Sequence, residues 1–109
     1  MRTLQEQGDI DRLLEHSERE PVILFKHSAT CPISAFAHKQ LEELEDTVPI
    51  YKLTVQRTRA LSNSIAEDFE VQHQTPQAIV ILAREVQFDS SHGDVSEHIL
   101  KPVLDKLRQ

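Results

Sequence analysis

The apolar residues of this chain alternate between short continuous runs and stripes of helical spacing, which restricts the fold to an α/β architecture. Continuous runs predict strands covered on both faces, and spacings of three or four residues predict amphipathic helices between them. The predicted elements are a helix from about Asp9 to Glu20, strand Val22–Phe25, helix Pro32–Glu45, strand Pro49–Val55, helix Thr58–Phe69, strands Ala78–Leu82 and Glu85–Phe88, and a helix from Asp94.

Connectivity follows from these elements. Right-handed crossovers make the first two strands parallel, and a tight turn makes the last two strands a hairpin beside them. The second helix is expected to turn one apolar stripe toward the core. That stripe consists of Ile33, Phe36, Ala37, Leu41 and Leu44.

Length and charge exclude several classes of protein. With 109 residues the chain is expected to form one domain, 1–109, with a single core. A formal charge of −6 argues against binding to nucleic acid or to anionic membranes, because both require basic patches. The N-terminus lacks the apolar core of a signal peptide, and no apolar run approaches membrane-spanning length. We therefore expect a cytoplasmic protein.

The single cysteine, Cys31, falls between a predicted strand and a predicted helix. Unpaired N–H groups of a first helical turn, together with the helix dipole, favour a thiolate there. Pro32 fits that turn, where no N–H is needed. The alternative is an inert cysteine, buried as a small apolar side chain. Since one cysteine cannot form an internal disulfide, any disulfide must join Cys31 to another molecule.

Two short motifs resemble the thioredoxin superfamily, and the resemblance runs from about Pro21 to the C-terminus. Cys31-Pro32-Ile33-Ser34 is similar to that family's CxxC or CxxS motif, and Thr75-Pro76 before a buried strand is similar to its cis-proline loop. With Thr30 and the Ser90-Ser91-His92 loop after the hairpin, these motifs most resemble the YtxJ-type monothiol bacilliredoxins. The resemblance implies a thioredoxin-like α/β fold. Its central sheet would be mixed and four-stranded (order 2-1-3-4), flanked by helices, with an extra N-terminal helix.

The same resemblance implies an activity, because members of that group are associated with removing bacillithiol from mixed disulfides on other proteins. The Cys31 thiolate would attack the mixed disulfide of a client protein, release the client thiol and keep the small thiol. A second small thiol or a reducing partner protein must then restore Cys31. We expect no bound cofactor, bacillithiol or a similar low-molecular-weight thiol as co-substrate, S-thiolated proteins as partners, and a monomer.

The immediate surroundings of the thiol leave two interpretations open. Thr30 and Ser34 are expected to shape the thiolate site, and the Ser34 hydroxyl, one helical turn on, could bond the sulfur anion. Equally, Ser34 could be an ordinary first-turn serine that bonds backbone or water. His27, Cys31 and His38 have spacings that superficially suit a metal. They span a strand end, a junction and a helix, so we expect no metal.

Two further segments are candidates for substrate contact. By the resemblance, Thr75 and Pro76 form the wall opposite Cys31, and the Thr75 N–H and C=O contact substrate. Topology places His92, Gly93 and Asp94 near the thiol, where N–H groups at the start of the last helix could hold a ligand carboxylate. A turn followed by a helix N-cap would use the same residues.

Basic residues near the cysteine differ from those of glutaredoxins, which usually have one shortly before the active cysteine. Here Ser28 lies three residues before Cys31, and Lys26 or His27 could substitute. Arg57 and Arg59 begin the third helix, near the rim of the expected cleft, although arginines at such positions are more often solvated charges. His73 could line that cleft or lie on the surface.

A rival function is a non-enzymatic thioredoxin-like adaptor or redox sensor. Its Cys31 would be S-thiolated reversibly under stress, and the protein would bind a partner rather than turn over substrate. Affinity for that partner would persist when Cys31 is replaced by serine.

Overall fold

The fold is organised around a mixed β-sheet with helices on both of its faces. A computed structural model describes the chain from Met1 to Gln109. The elements are β1 (Arg2–Thr3), α1 (Gln7–Ser17), β2 (Val22–His27), α2 (Pro32–Glu42), β3 (Ile50–Thr54), α3 (Arg59–Asp68), β4 (Gln77–Leu82), β5 (Glu85–Ser91), a 3-10 helix (His92–Asp94) and α4 (Glu97–Leu107). None of the helices is both long and apolar enough to cross a membrane.

The sheet has five strands in the order β1-β3-β2-β4-β5. β3 runs parallel to both β1 and β2, whereas β4 is antiparallel to β2 and β5. The expected four-stranded sheet is therefore wrong, because β1 adds an edge strand. Its two exposed residues, Arg2 and Thr3, carry no apolar run that would predict a strand.

The expectation that the N-terminal helix is an addition to the fold is also wrong. α1 lies in the connection from β1 to β2 and buries Ile10 and Leu13 against the sheet. It is thus one of the four helices of a thioredoxin-like α/β fold.

Successive residues of β2 enter two separate cores, which explains its continuous apolar run. Ile23 and Phe25 pack in a core with α2 and α4, whereas Val22 and Leu24 pack in a core with α1 and α3. All four side chains are fully buried. With both faces covered, the strand ends are the parts of the sheet left available for a site.

Helix α2 differs from the prediction in its end and in its buried face. It ends at Glu42, and its buried residues are Ser34, Ala37 and Leu41. This spacing of three and four turns Ile33 and Phe36 away from the core. Their exposed fractions are 49% and 56%, so the expectation that both are core residues is wrong.

The C-terminal elements are shifted relative to the prediction. β5 continues to Ser91, so Ser90 and Ser91 belong to a strand rather than a loop. α4 begins at Glu97 instead of Asp94, because Ser96 is its N-cap and accepts a hydrogen bond from the Ile99 N–H at 3.3 Å. The 3-10 helix occupies the segment in between.

Candidate active site

Cys31 is the N-cap residue of α2, just beyond the end of β2. Its carbonyl accepts the first helical hydrogen bond, from the Ala35 N–H at 3.0 Å, and Pro32 fills the first helical position. No side-chain oxygen caps this helix. The amides of the first turn therefore remain available to an anion at the cysteine sulfur. Cys31 is a free, partly exposed thiol, which is the position that nucleophilic exchange needs.

Ser34 is fully buried and holds the chain that leads to Cys31. Its Oγ accepts a hydrogen bond from the Ser28 N–H at 2.9 Å and lies 2.9 Å from His27 Nδ1. A hydroxyl oxygen can accept two hydrogen bonds, so the tautomer of His27 sets which of the two groups donates in the Ser34–His27 bond. Ser34 thus bonds backbone and histidine, and makes no hydrogen bond with the Cys31 sulfur.

Burial lowers the pKa of His27, and the nearby positive charges of His38 and Lys52 lower it further. The His27 and His38 rings lie 5.2 Å apart between centroids. No group of three or more histidine, cysteine, aspartate or glutamate side chains is placed to hold a metal ion.

We expect Ser34→Ala to destabilise the protein by about 1 to 3 kcal/mol, because it leaves the Ser28 N–H and His27 Nδ1 without a partner in a part-buried position. Urea unfolding at pH 7 measures this effect. Ser64→Ala is the matched control, since its hydroxyl bonds only the exposed Asp68 carboxylate, and it should change stability by less than about 0.5 kcal/mol. Equal unfolding midpoints for the two variants would contradict the role assigned to Ser34.

Gln56 supports the same segment from the turn that follows β3, a role that the sequence alone does not indicate. Its Oε1 accepts from the Ala29 N–H at 3.1 Å, and its Nε2 donates to Ser28 Oγ at 2.8 Å and Thr30 Oγ1 at 3.3 Å. Thr30 is exposed and contributes through this bond. The predicted topology is the one feature that could have indicated this role of Gln56, because parallel β2 and β3 end at one edge of the sheet.

Thr75 and Pro76 lie at the same end of the sheet as Cys31. Lys26 pairs with Gln77 in the β2–β4 ladder, so Pro76, one residue earlier, lies beside the end of β2. The Thr75–Pro76 peptide bond is cis. Pro76 is buried, whereas Thr75 is partly exposed. This arrangement leaves Thr75 as the accessible residue of the loop.

The 3-10 helix with His92, Gly93 and Asp94 also reaches this end of the sheet. The His92 N–H donates to the Pro76 carbonyl at 2.9 Å, and the 3-10 helix packs against α2. The predicted anion site at the start of the last helix is not formed by these residues, because α4 starts at Glu97. The Glu97 amide instead donates to Gln40 Oε1 at 3.0 Å. Gly93 has an ordinary negative φ and open space around its Cα.

Ile33 and Phe36 form an exposed apolar patch on the first turns of α2, directly after Cys31. They are the chain's large apolar side chains that remain exposed. A patch of this kind beside a reactive group favours contact with another protein. The thiol therefore has an exposed apolar surface next to it on α2 and lies at the end of the sheet that also holds the Thr75–Pro76 loop.

Comparisons with known proteins agree with this arrangement. The family model of monothiol bacilliredoxin BrxC matches residues 2–100. A solved structure with a thioredoxin fold is 33% identical, with a TM-score of 0.85, and the match covers 93% of this chain and 90% of that one.

Two thioredoxins share the fold at lower identity. That of Fasciola hepatica is 16% identical (TM-score 0.78, 98% of this chain and 99% of that chain). Thioredoxin O2 of Arabidopsis thaliana is 19% identical (TM-score 0.76, 99% and 94%). On the fold, the site and the family match together, the chain belongs to the monothiol bacilliredoxin BrxC family of the thioredoxin superfamily and has a thiol–disulfide redox function.

Proposed function

We propose that this protein removes bacillithiol, or a similar low-molecular-weight thiol, from mixed disulfides on client proteins. The observation that carries the proposal is the placement of Cys31. It is the chain's one thiol, partly exposed, at the N-terminus of an eleven-residue helix and at the same end of the sheet as the Thr75–Pro76 loop. Such a thiol can accept one small thiol and cannot form an internal disulfide.

The reaction proceeds by two thiol–disulfide exchanges. The Cys31 thiolate attacks the small thiol's sulfur in the client disulfide, so a Cys31–small-thiol bond forms as the client's S–S bond breaks. The client leaves as a thiolate. A second small thiol then attacks the adduct on Cys31, which yields the small-thiol disulfide and regenerates the Cys31 thiolate. A reducing partner protein could perform this second step. Small thiols must be kept reduced for the cycle to continue, which fits the cytoplasm.

The surrounding residues support distinct parts of this cycle. The amides of the first α2 turn stabilise the thiolate, both before attack and after it is regenerated. Gln56 and Ser34 hold the 28–30 segment that presents Cys31. We expect the Thr75 backbone to pair with the bound substrate, as the family resemblance implies, and the exposed Ile33 and Phe36 to offer an apolar surface to the client.

The exposed Ile33 and Phe36 also favour the second candidate function, an adaptor or sensor that binds a partner protein. An adaptor uses the same surface but needs no turnover. The two functions therefore differ in stoichiometry rather than in binding.

A turnover assay separates the two functions. A bacillithiolated model client in fiftyfold excess over the protein is incubated with free bacillithiol, and released client thiol is counted by mass spectrometry. We expect many client molecules released per protein molecule, and no more than one when free bacillithiol is omitted. Glutathione in place of bacillithiol tests the identity of the small thiol. Release that never exceeds one equivalent with either thiol would refute the enzymatic proposal and support the adaptor.

A further inference from the structure

Lys26 is a buried lysine without an acidic partner. It is the fifth residue of β2, and none of its surface is exposed. Its Nζ donates to the Ser62 carbonyl of α3 at 3.0 Å and lies 3.2 Å from His73 Nδ1. Burial alone lowers the pKa of Lys26 to about 8, and no carboxylate opposes that effect. A buried charge without a counter-ion is costly, so its retention requires an explanation.

His73 joins Lys26 to the protein surface. Because the Lys26 ammonium has only hydrogens to offer, His73 Nδ1 must be the acceptor, which leaves the His73 proton on Nε2. Burial lowers the pKa of His73, as do the positive charges of Lys26 and Arg59. His73 is therefore a neutral donor, and three basic side chains lie close enough to influence one another.

Arg59 and His73 line a pocket on the α3 side of the Thr75–Pro76 loop. The pocket has a volume of about 340 Å³ and is lined by Val55, Arg59, Ser62, Asn63, His73 and Thr75. Lys26 lies behind it, bonded to two of the lining residues. Thr75 belongs both to this pocket and to the loop beside the end of β2, so the pocket shares this residue with the proposed exchange site.

The local charge is opposite to that of the whole protein. The chain carries a formal charge of −6, yet no carboxylate forms an ion pair with Lys26, Arg59 or His73. Arg59 offers a guanidinium, and Asn63 and His73 can donate further hydrogen bonds. This donor set suits an anion with several oxygens, and a carboxylate is the simplest such group.

We propose that this pocket binds the carboxylate groups of the small thiol while that thiol is joined to the client or to Cys31. Arg59 and His73 contact the carboxylates, and Lys26 supplies positive charge from behind them. The inference rests on the proposed function and adds a requirement, namely that the favoured thiol carries carboxylates at the end away from its sulfur. Bacillithiol, which carries malate carboxylates, fits that requirement.

The test compares two mixed disulfides of one client, one made with bacillithiol and one with cysteamine, which has no carboxylate. Rates of small-thiol transfer to Cys31 are measured in single turnover for wild type, Arg59→Gln and His73→Gln. Arg57→Gln is the matched control, because Arg57 is exposed, two residues away, and lines a different pocket.

We expect Arg59→Gln to slow transfer from the bacillithiol disulfide by about tenfold, the usual effect of losing one charged contact, and to leave transfer of cysteamine within about twofold. Arg57→Gln should leave both rates unchanged. L-Malate added to the wild-type protein should shift the amide resonances of Arg59, Asn63, His73 and Thr75.

Equal slowing of both disulfides by Arg59→Gln would overturn the proposed role of the pocket, and so would the absence of malate-induced shifts at those four residues. Equal rates of cysteamine and bacillithiol transfer by wild type would refute carboxylate binding by the pocket, while the proposed exchange activity would be retained. If wild type transfers neither, both proposals fail.

Discussion

Replacing Cys31 by serine should reduce small-thiol transfer to the uncatalysed background, because a hydroxyl cannot attack a disulfide sulfur at neutral pH. Serine is a good N-cap residue, so α2 should form as before and the folded state should persist. Release of client thiol, followed by mass spectrometry, measures the effect. Circular dichroism and the unfolding midpoint verify the fold.

The control for this variant is wild-type protein whose thiol has been blocked with iodoacetamide. It should be as inactive as Cys31→Ser, since the same atom is disabled by a different route. Residual turnover in either sample would mean that the observed exchange does not pass through Cys31. Unchanged affinity of Cys31→Ser for a client, with no turnover by wild type, is the outcome that an adaptor predicts.

Lys26→Met should stabilise the protein at pH 7, by at most about 3 kcal/mol, because it removes a buried charge whose pKa falls from 10.5 to about 8 on folding. Below pH 8 the lysine is protonated in both states, and the folded protein bears the full cost of burying the charge. Between pH 8 and 10.5 the unfolded chain holds the extra proton, so the stability of wild type rises with pH across that window. The advantage of Lys26→Met should therefore shrink as the pH approaches 10.5.

Urea unfolding at pH 7 and at pH 10 measures both parts of this prediction. Lys101→Met, at an exposed position on α4, is the control and should change stability by less than about 0.5 kcal/mol at either pH. A Lys26→Met protein that is less stable than wild type at pH 7 would show that the bonds to Ser62 and His73 outweigh the cost of burial. A pH-independent difference between the two proteins would contradict the assigned cause.

The parts of the site that could be predicted are those carried by short sequence motifs. The strand, Cys31 and the helix after it are consecutive in sequence, and Thr75-Pro76 directly precedes β4. By contrast, Gln56 and His73 reach their partners from other elements, 27 and 47 residues away in sequence at Ala29 and Lys26. No local pattern encodes such contacts, because they depend on which strand ends meet.

Each error in the fold prediction has its own physical cause. The helical spacing of its apolar residues predicts a buried stripe on α2 that includes Ile33 and Phe36. The structure instead buries the small Ser34 and Ala37, which leaves Ile33 and Phe36 exposed. β1 is too short and polar to show periodicity. Asp94 is a good N-cap residue and predicts a helix start there, but the 3-10 helix occupies that segment and Ser96 caps α4 instead.

The most direct test of the account is the intact mass of the protein after one equivalent of bacillithiolated client has reacted and been quenched with acid. Attack by Cys31 on the small thiol's sulfur predicts that the protein gains the mass of one bacillithiol in disulfide linkage, and that the client loses the same mass. A covalent complex of protein and client, or a protein of unchanged mass beside a client that keeps its bacillithiol, would contradict it.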